Sequence, residues 1–344
     1  MIKPTSALLR PHAFTAVAVV LLCCALTLTS CEAQKGDSPS APGDADHVIG
    51  VYGDFRVVDG DTFRIEGLER GVRFLFIDTE EVPRGDHALQ DLARLRETWP
   101  GPYYEKRGDR SFPVKMGSPM GWDTAEWART WFADVDSIRL ERDSEDNVYG
   151  YFGRWLALVY AKKNGSWVLY NLECVRQGHS PYYGKYGFSA RFHDAFVEAQ
   201  DEARAAQRGV WNPVLQHYPD YDERMEWWNG RGEDISRYLE NHADDEDYYF
   251  MGRDGEMERL ALAQGEQVVV FGAVDWIDEE ETVNAVRIPH KDGQTVVVRL
   301  PGAASMEWVA DIEQQYVYAR GRISGSGQML TLDVTDFDAI SRRP

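Results

Sequence analysis

Cysteine is scarce in this chain of 344 residues, which contains four. Cys23, Cys24 and Cys31 lie near the N-terminus, and only Cys174 lies in the remainder. An intramolecular disulfide is therefore excluded beyond the N-terminal region. The sequence also lacks a Cys/His set of the kind that zinc prefers.

Positive charge is also in deficit. The chain has 37 Lys and Arg against 57 Asp and Glu, a net charge of −20. Such a protein is repelled as a whole by nucleic acids and membrane phosphates. If it acts on a polyanion, it must use a local basic patch or a bound cation. Its 43% hydrophobic and 27% charged residues are ordinary for a soluble globular protein, and its length suggests about two domains.

No apolar run clearly reaches the length of a transmembrane helix. The run from Ala13 to Leu28, preceded by Lys3 and Arg10, is short for a membrane span, which needs about 20 apolar residues. It ends in "LTSC", which resembles a bacterial lipobox with Cys31 as the lipidated residue. The alternatives are an ordinary signal peptide and an apolar anchor. Residues 32–47 lack large apolar side chains and predict a flexible tether.

Strand patterns begin at Ile49. Strands are predicted near 50–58, 61–66, 71–77, 137–142 and 154–161. A helix at "WDTAEWARTWFADV", with Asp123 and Glu126 as a capping box, separates the third strand from the fourth. Three strands, a helix and two strands are the order of a five-stranded barrel of the oligonucleotide/oligosaccharide-binding (OB) type. Helices are also predicted near 170–178 and 189–208, the second capped by Ser189.

Carboxylates follow two of these strands. Asp59-Gly60 predicts a hairpin turn that is followed by Asp61, and the third strand, "VRFLFIDTEE", ends in Asp78, Thr79, Glu80 and Glu81. If the two segments are neighbours, their oxygens converge in a way that suits Ca²⁺. In the alternative interpretation, the aspartates bond local amides and the two glutamates are solvated.

Four stretches together resemble a known family. "VVDGDTF", "VRFLFIDTEE", "YFGRWLALVY" and "ECVRQGHSP" occur in the order of the signatures of the staphylococcal-nuclease-like (thermonuclease) family, over about 50–213. This resemblance implies a Ca²⁺-dependent phosphodiesterase on the predicted barrel.

The resemblance also implies roles for individual residues. Asp61 and Asp78 match calcium carboxylates, and Thr79 matches a residue that binds the metal through its backbone carbonyl. Glu81 matches the general base, and two phosphate-clamping arginines match Arg73 and Arg154. These residue types suit phosphodiester hydrolysis, because cations stabilise the extra negative charge and a carboxylate can deprotonate water. Alternatively, Arg154 is an exposed strand residue, and Arg73 forms an ion pair with Glu66 or Asp78.

Two departures from the family pattern stand out. Glu80 replaces the usual proline, and we expect it to point to solvent. Residues 82–119 form an insertion whose cationic and aromatic residues suit a single strand, although an ordinary surface excursion is the alternative. These residues are Arg84, Arg94, Arg96, Trp99, Tyr103, Tyr104, Lys106, Arg107, Arg110 and Lys115.

The stretch "SPYYGKYG" lies where the family keeps substrate-contacting tyrosines and a lysine. Tyr186 matches one tyrosine position, whereas the other falls on Gly184 and would be replaced by Tyr182 or Tyr183. With these substitutes, the resemblance implies that Tyr182, Tyr183, Lys185 and Tyr186 bind substrate. Alternatively, Tyr182 and Tyr183 pack on the barrel.

The C-terminal part begins with an acidic region, 219–260, in which we expect a helix near 221–241 with a solvated charged face. From Glu266 the pattern again predicts three strands, a helix and two strands, hence a second OB-like barrel. This barrel is expected to bind nucleic acid or protein.

The predicted fold is thus mainly β with helices (α+β). The expected divisions are a lipoprotein signal peptide (1–30), the tether (31–47), a thermonuclease-like OB-fold domain (48–213), an acidic helical linker (214–260) and the second OB-like domain (261–344).

The predicted function is that of a calcium-dependent nuclease in the bacterial cell envelope, held by lipid on a membrane and facing the periplasm or exterior. It would hydrolyse single-stranded DNA and RNA by metal-assisted attack of water, leaving 3′-phosphate ends. The alternatives are an inactive nucleic-acid- or protein-binding lipoprotein and a phosphodiesterase with another substrate.

Overall fold

The computed structural model describes residues 45–144, 149–150, 153–275, 283–326 and 329–343, which all belong to one compact unit. The predicted signal peptide, Cys31 and most of the tether lie outside these residues. Within the described ranges, every helix is too short or too polar to cross a membrane.

The first half of the chain forms seven strands and five helices within its described residues. These are β1 (Val48–Tyr52), β2 (Phe55–Asp59), β3 (Thr62–Ile65), β4 (Val72–Phe74), α1 (Ala88–Thr98), α2 (Gly101–Arg107), α3 (Pro119–Phe132), β5 (Ile138–Glu141), β6 (Trp155–Lys163), β7 (Ser166–Leu169), α4 (Tyr170–Arg176) and α5 (His193–Ala205).

These strands make one mixed sheet in the order β1-β5-β6-β4-β3-β2, with β7 paired to β6. Its outer members, β1 and β2, are consecutive in the chain, and β4 runs parallel to β6. The predicted order of strands, a helical part and further strands is present, but four strands precede the helical part and three follow it. The sheet has seven strands instead of five, because the first predicted strand is divided into β1 and β2 and because β7 was not predicted.

An aromatic core holds α3 against this sheet. Phe63 on β3 is fully buried, whereas its neighbour Arg64 is exposed, as the alternation of side chains along a strand requires. The ring of Phe63 makes edge contacts with Phe74 at 4.6 Å and with Phe132 at 4.7 Å between centroids. This packing fixes β3 and β4, the strands that lead into the predicted site.

Two predicted helix starts are displaced. Helix α3 begins at Pro119 with Ser118 as its N-cap, and the Ser118 hydroxyl accepts a hydrogen bond of 2.8 Å from the Gly121 amide. The predicted capping box at Asp123 and Glu126 therefore lies inside the helix. A serine cap followed by proline is the stronger start signal, because proline is favoured in the first helical turn.

The second displaced start is that of α5, which begins at His193 and not at 189. The Ser189 hydroxyl nevertheless accepts a hydrogen bond of 2.9 Å from the Phe192 amide and donates one of 2.6 Å to Asp143. Ser189 thus orders the turn that leads into the helix.

The remainder of the described chain contains three further helices and seven further strands. These are α6 (Tyr221–His242), β8 (Tyr248–Phe250), α7 (Glu256–Leu262), β9 (Gln267–Ala273), β10 (Val283–Pro289), β11 (Thr295–Ala304), α8 (Met306–Ile312), β12 (Tyr316–Ser326), β13 (Met329–Asp333) and β14 (Ile340–Ser341).

The second sheet has the order β10-β11-β13-β12-β9-β8, with β14 paired to β12. Strands β9, β12, β13, β11 and β10 follow one another across it as β1, β5, β6, β4 and β3 do across the first sheet. The parallel pair β11–β13 corresponds to β4–β6. The protein is therefore a mixed α+β fold, in which the predicted linker range 214–260 also contributes β8 and α7.

Candidate active site

The turn after β2 places Asp61 at the edge of the first sheet. Gly60 is required there, because a Cβ at this position would lie 2.5 Å from the Thr124 side chain and 2.7 Å from that of Thr79. The Gly60 carbonyl accepts a hydrogen bond of 2.8 Å from the Tyr170 hydroxyl. As a result, the turn is locked and the Asp61 carboxylate is buried beside the end of β4.

The chain beyond β4 turns sharply at Phe76, which has a φ of 61°. This left-handed conformation is unfavourable for a bulky side chain. The Phe76 ring is held at 5.7 Å from that of Phe196, and its carbonyl accepts a hydrogen bond of 2.9 Å from the Tyr183 amide. Two residues later, the Asp78 amide donates a hydrogen bond of 2.8 Å to the buried Ser180 hydroxyl. These contacts aim Asp78 towards Asp61.

Arg73 joins the two aspartates. One terminal nitrogen of its guanidinium pairs with Asp61 Oδ1 and the other with Asp78 Oδ1. Two oxygens from segments 17 positions apart in the chain therefore face the same cation. One alternative predicted for Arg73, an ion pair with Asp78, is thus present, and Asp61 joins it.

A second cation reaches the same carboxylate from the insertion. Lys115 Nζ lies 2.5 Å from Asp78 Oδ1, and the lysine side chain remains 44% exposed. Burial acts to raise the pKa of Asp78, but Lys115 and Arg73 outweigh it and hold this pKa below its usual value. Asp78 is therefore an anion whose charge is balanced by two cations.

The donor chemistry of this cluster fits a hard cation. Asp61 and Asp78 offer buried carboxylate oxygens, and Thr79 adjoins them, with its amide 2.8 Å and its hydroxyl 3.1 Å from Asp61 Oδ2. Carboxylate and carbonyl oxygens are the ligands that Ca²⁺ prefers. No cluster of three or more His, Cys, Asp or Glu suited to a metal occurs among the described residues. A cation here would therefore also need oxygens from backbone or water.

The prediction that Glu80 points to solvent is wrong. Its side chain is 2% exposed, and its carboxylate accepts hydrogen bonds from the Ser118 hydroxyl, the Tyr218 amide at 2.6 Å and the Tyr221 hydroxyl at 3.0 Å. Burial is the main cause that raises the pKa of Glu80, to about 7, and these hydrogen bonds only partly oppose it. Glu80 therefore ties the loop after β4 to the N-terminal ends of α3 and α6.

Glu81 faces the other way, as neighbours on an extended chain do. Its side chain is 37% exposed, and its carboxylate lies 3.4 Å from Arg84 Nη2, which also pairs with Asp59 at 3.1 Å. The Glu81 carbonyl accepts a hydrogen bond of 3.0 Å from the Ser118 amide. Of the two glutamates, Glu81 is the one accessible from outside.

Arg154 belongs to the same electrostatic cluster. Burial and the neighbouring Arg73 lower its pKa, whereas Asp59, Glu81 and Asp78 act in the opposite direction. Arg154 and Arg84 line a surface pocket of about 330 Å³ together with Val58, Asp59, Thr62, Arg64, Glu69, Arg70 and Gly71.

The four predicted substrate-binding residues divide into two groups. Tyr182 is 3% exposed and stacks on Phe196 at 4.9 Å, so its ring belongs to the core, in line with the packing alternative. Tyr186 is 62% exposed, and Tyr183 lies between it and Lys115, whose Nζ is 6.0 Å from the Tyr183 ring centroid. Lys185 Nζ lies 5.7 Å from the Tyr186 centroid. Tyr183, Lys185 and Tyr186 thus form a chain of contacts that leads from Lys115 along the 180–187 loop.

Sequence reasoning missed the support that α6 gives to this region. The buried Arg224 donates hydrogen bonds to Asp220 at 2.7 Å and to the Tyr103 hydroxyl at 2.7 Å. It therefore fastens the insertion to α6. The acidic composition of 219–260 concealed this role.

Residues 106–213 match the model of the protein family described as staphylococcal nuclease homologue. The predicted resemblance is confirmed for this part of the chain. The match includes Arg154 and 180–187, whereas Asp61, Arg73 and 78–81 precede it.

The chain is also similar to a curated protein. The uncharacterized protein MJ1439 of Methanocaldococcus jannaschii is 23% identical over 159 residues, which are 46% of this chain and 69% of that protein.

Proposed function

We propose that this protein is a Ca²⁺-dependent nuclease that hydrolyses single-stranded DNA and RNA and leaves 3′-phosphate ends. The observation that carries the proposal is the convergence of Asp61, Arg73 and Asp78 at one end of the first sheet, with Glu81 and Arg154 in the same electrostatic cluster. The match of residues 106–213 to nuclease homologues supports it.

Asp61, Asp78 and the Thr79 carbonyl would hold the calcium ion. When bound, Ca²⁺ would stabilise the negative charge that develops on the phosphate oxygens. Binding of the ion requires that Arg73 give up at least part of its contact with the two carboxylates. The freed guanidinium then has two parallel N–H donors, which fit a phosphate in a bidentate manner.

The protein's own groups would carry the remaining chemistry. Arg73 and Arg154 orient the phosphate and stabilise its additional charge in the transition state. Glu81, being accessible, accepts the proton of the attacking water. Arg84 keeps the Glu81 carboxylate near Asp59 and thereby limits its rotation. The 5′-oxygen leaves, as the family resemblance implies.

We also interpret both sheets as OB-type barrels. The strand succession shared by the two sheets supports this interpretation, as does the adjacency in sequence of β1 and β2 at opposite ends of the first pairing order. Residues 48–213 and 261–344 would then be two domains joined by 214–260.

Lipid attachment at Cys31 is a separate proposal. It is supported by the motif "LTSC" at the end of an apolar run and would hold the nuclease on a bacterial membrane, facing the periplasm or the exterior. The second domain would bind protein or nucleic acid.

The alternative function is that of a binding protein with an inactive site. The pairing of Asp61 and Asp78 with Arg73 is the observation that favours it, since these contacts occupy the oxygens that a metal would need.

A gel assay of the purified protein separates the two functions. A 5′-labelled single-stranded oligonucleotide is incubated with Ca²⁺ and, in parallel, with a calcium chelator. We expect cleavage only with Ca²⁺ and fragments that carry 3′-phosphates. Arg73→Lys retains the charge but loses the bidentate geometry, so it should cleave more slowly. Binding of the oligonucleotide without cleavage at any Ca²⁺ concentration would favour the binding protein.

A further inference from the structure

A mixed cationic and aromatic surface adjoins the candidate active site. Its members come from the insertion (Phe112, Lys115), the 180–187 loop (Lys185, Tyr186) and α6 (Trp227). Helix α6 lies beyond the residues matched by the nuclease-homologue family. We call these five side chains the strand surface.

Lys185 is the central cation of the strand surface. Its ammonium lies 4.0 Å from the Trp227 ring centroid and 5.7 Å from that of Tyr186. Arg231 and Lys115 are close enough to repel it, whereas Asp78 and Asp275 attract it more weakly. Within the described part of the chain, the Lys185 ammonium makes neither a hydrogen bond nor an ion pair. The Lys185 ammonium therefore contacts two aromatic rings and has two other cations nearby, an arrangement that suits the binding of an anion.

Trp227 presents an aromatic ring next to this cation. The Phe112 ring packs against it at 5.0 Å between centroids and at an angle of 38°, so the insertion supports α6 from the side. The indole nitrogen of Trp227 is buried and has no hydrogen-bond partner among the described residues. The indole is therefore held by packing and by cations, without a polar anchor.

Lys115 connects the strand surface to the predicted chemistry. Its ammonium is 2.5 Å from Asp78 and 6.0 Å from the Tyr183 ring centroid. Lys115 and Lys185 are close enough to repel each other, and Asp78 acts on both, so the two ammonium groups adjoin the candidate site.

Arg231 fixes the geometry of the strand surface from behind. It is 3% exposed, and it donates hydrogen bonds to the carbonyls of Lys185 at 3.3 Å and of Gln314 at 2.6 Å. The 180–187 loop, α6 and the second sheet are thus joined by one guanidinium. Arg231 is a positioning residue in this arrangement.

Helix α6 carries six acidic residues, and two of them are paired with arginines. Glu223 is paired with Arg107 at 2.6 Å, and Asp234 is paired with Arg237 at 2.8 Å. These two carboxylates are thus engaged away from the Lys185 ammonium.

We propose that the strand surface binds the part of a single-stranded polynucleotide that adjoins the scissile phosphate. This proposal rests on the proposed nuclease function. Lys115 and Lys185 contact its phosphates, and Trp227 and Tyr186 stack on its bases. Alternating cations and aromatic rings are the features that bind single strands without sequence preference. The acidic middle of the chain would thereby take part in substrate binding.

The test is equilibrium binding of a fluorescein-labelled, 12-nucleotide single strand in chelator, measured by anisotropy over a series of salt concentrations. We expect Trp227→Ala to weaken binding about 5- to 150-fold, as loss of one base stack does, and Trp227→Phe to restore most of it. At pH 6, where the Lys185 ammonium is charged, Lys185→Met should lower the slope of log K against log salt by about 0.7, because one phosphate contact is lost. Trp167→Ala on β7, whose half-buried ring also contacts a cation, and Lys162→Met on β6 are the matched controls.

Several outcomes would overturn the inference. One is wild-type affinity and salt slope in both Trp227→Ala and Lys185→Met. Failure of the wild type to bind the strand at all in chelator is another, and the Ca²⁺-dependent cleavage assay tests the nuclease separately. If the wild type cleaves DNA with Ca²⁺ but both variants bind as the controls do, only the strand surface is rejected. If Trp227→Ala unfolds, as circular dichroism would reveal, the salt slope of Lys185→Met decides.

Discussion

Replacement of Glu80 tests how the loop after β4 is held. Glu80→Ala removes the acceptor of three hydrogen bonds, whose donors are the Ser118 hydroxyl, the Tyr218 amide and the Tyr221 hydroxyl. A buried donor left without a partner costs about 1–3 kcal/mol. Even at the lower end of this range, three such donors predict a loss of about 3 kcal/mol in the free energy of unfolding. Urea denaturation at pH 7 measures this loss.

The same carboxylate predicts a dependence of stability on pH. Burial raises the pKa of Glu80 from 4.5 to about 7, so the folded protein binds this proton more tightly than the unfolded chain does. The contribution is favourable at low pH and is lost as the pH rises from about 4.5 to about 7. Its size is about 3 kcal/mol. Glu80→Gln cannot titrate, so the free energy of unfolding of wild type minus that of Glu80→Gln should fall by this amount over the interval.

Two results would refute this reasoning. Glu97 lies exposed on α1, so Glu97→Ala is the matched control, and an equal effect of Glu80→Ala would show that the buried bonds contribute nothing. A difference between wild type and Glu80→Gln that stays flat between pH 4 and pH 8 would show that Glu80 has an ordinary pKa. Glu80→Pro, which restores the family residue, should destabilise the protein about as much as Glu80→Ala, because it leaves the same donors unpaired.

The remaining predictions concern the metal, the base, the anchor and the strand surface. Asp61→Asn should weaken Ca²⁺ binding strongly in calorimetry, whereas the exposed Asp123→Asn should bind Ca²⁺ as the wild type does; equal affinities in all three would exclude Asp61 as a ligand. Glu81→Gln should lower the turnover of an oligonucleotide at saturating Ca²⁺ by about 10²–10⁴-fold, as loss of a general base does, and a near-normal rate would assign the base elsewhere. Cys31→Ser should abolish incorporation of labelled lipid, and persistent labelling would refute lipidation at Cys31. Burial, aided by Arg231 and Lys115, lowers the pKa of Lys185 to about 7, so strand affinity should decrease from pH 6 to pH 8 and should do so less in Lys185→Arg; identical pH profiles would contradict this.

Local patterns were sufficient to predict much of the first sheet. The alternation around Phe63 predicts β3, and the turn at Gly60 predicts the position of Asp61, because both depend on neighbours in sequence. The same holds for β9 to β13, whose order repeats that of the first sheet. The start of α3 differs from the prediction because Ser118 and Pro119 are a stronger start signal than the capping-box pair Asp123 and Glu126.

The environment of Glu80 could not be predicted in this way. Its partners Tyr218 and Tyr221 are 138 and 141 positions away in sequence and lie in a region read as an acidic linker. Charge composition averages over a segment, whereas burial is decided residue by residue. The apolar stripe of α6 holds Tyr221, Met225 and Trp228 against the rest of the protein even though the helix is acidic.

The distribution of charge explains how a protein of net charge −20 could bind a polyanion at one place on its surface. Repulsion between exposed charges is screened beyond about 10 Å at ordinary ionic strength, so a strand at the surface responds mainly to the nearest groups. Near Asp78 those groups are Arg73, Lys115 and Lys185, and the two aspartates that oppose them are buried. Calcium bound by Asp61 and Asp78 would add positive charge at this point and displace Arg73 towards the phosphate. The local sign would therefore depend on the metal: without it, arginine and carboxylates neutralise each other, and with it the site would become positive where the proposed function requires the scissile phosphate.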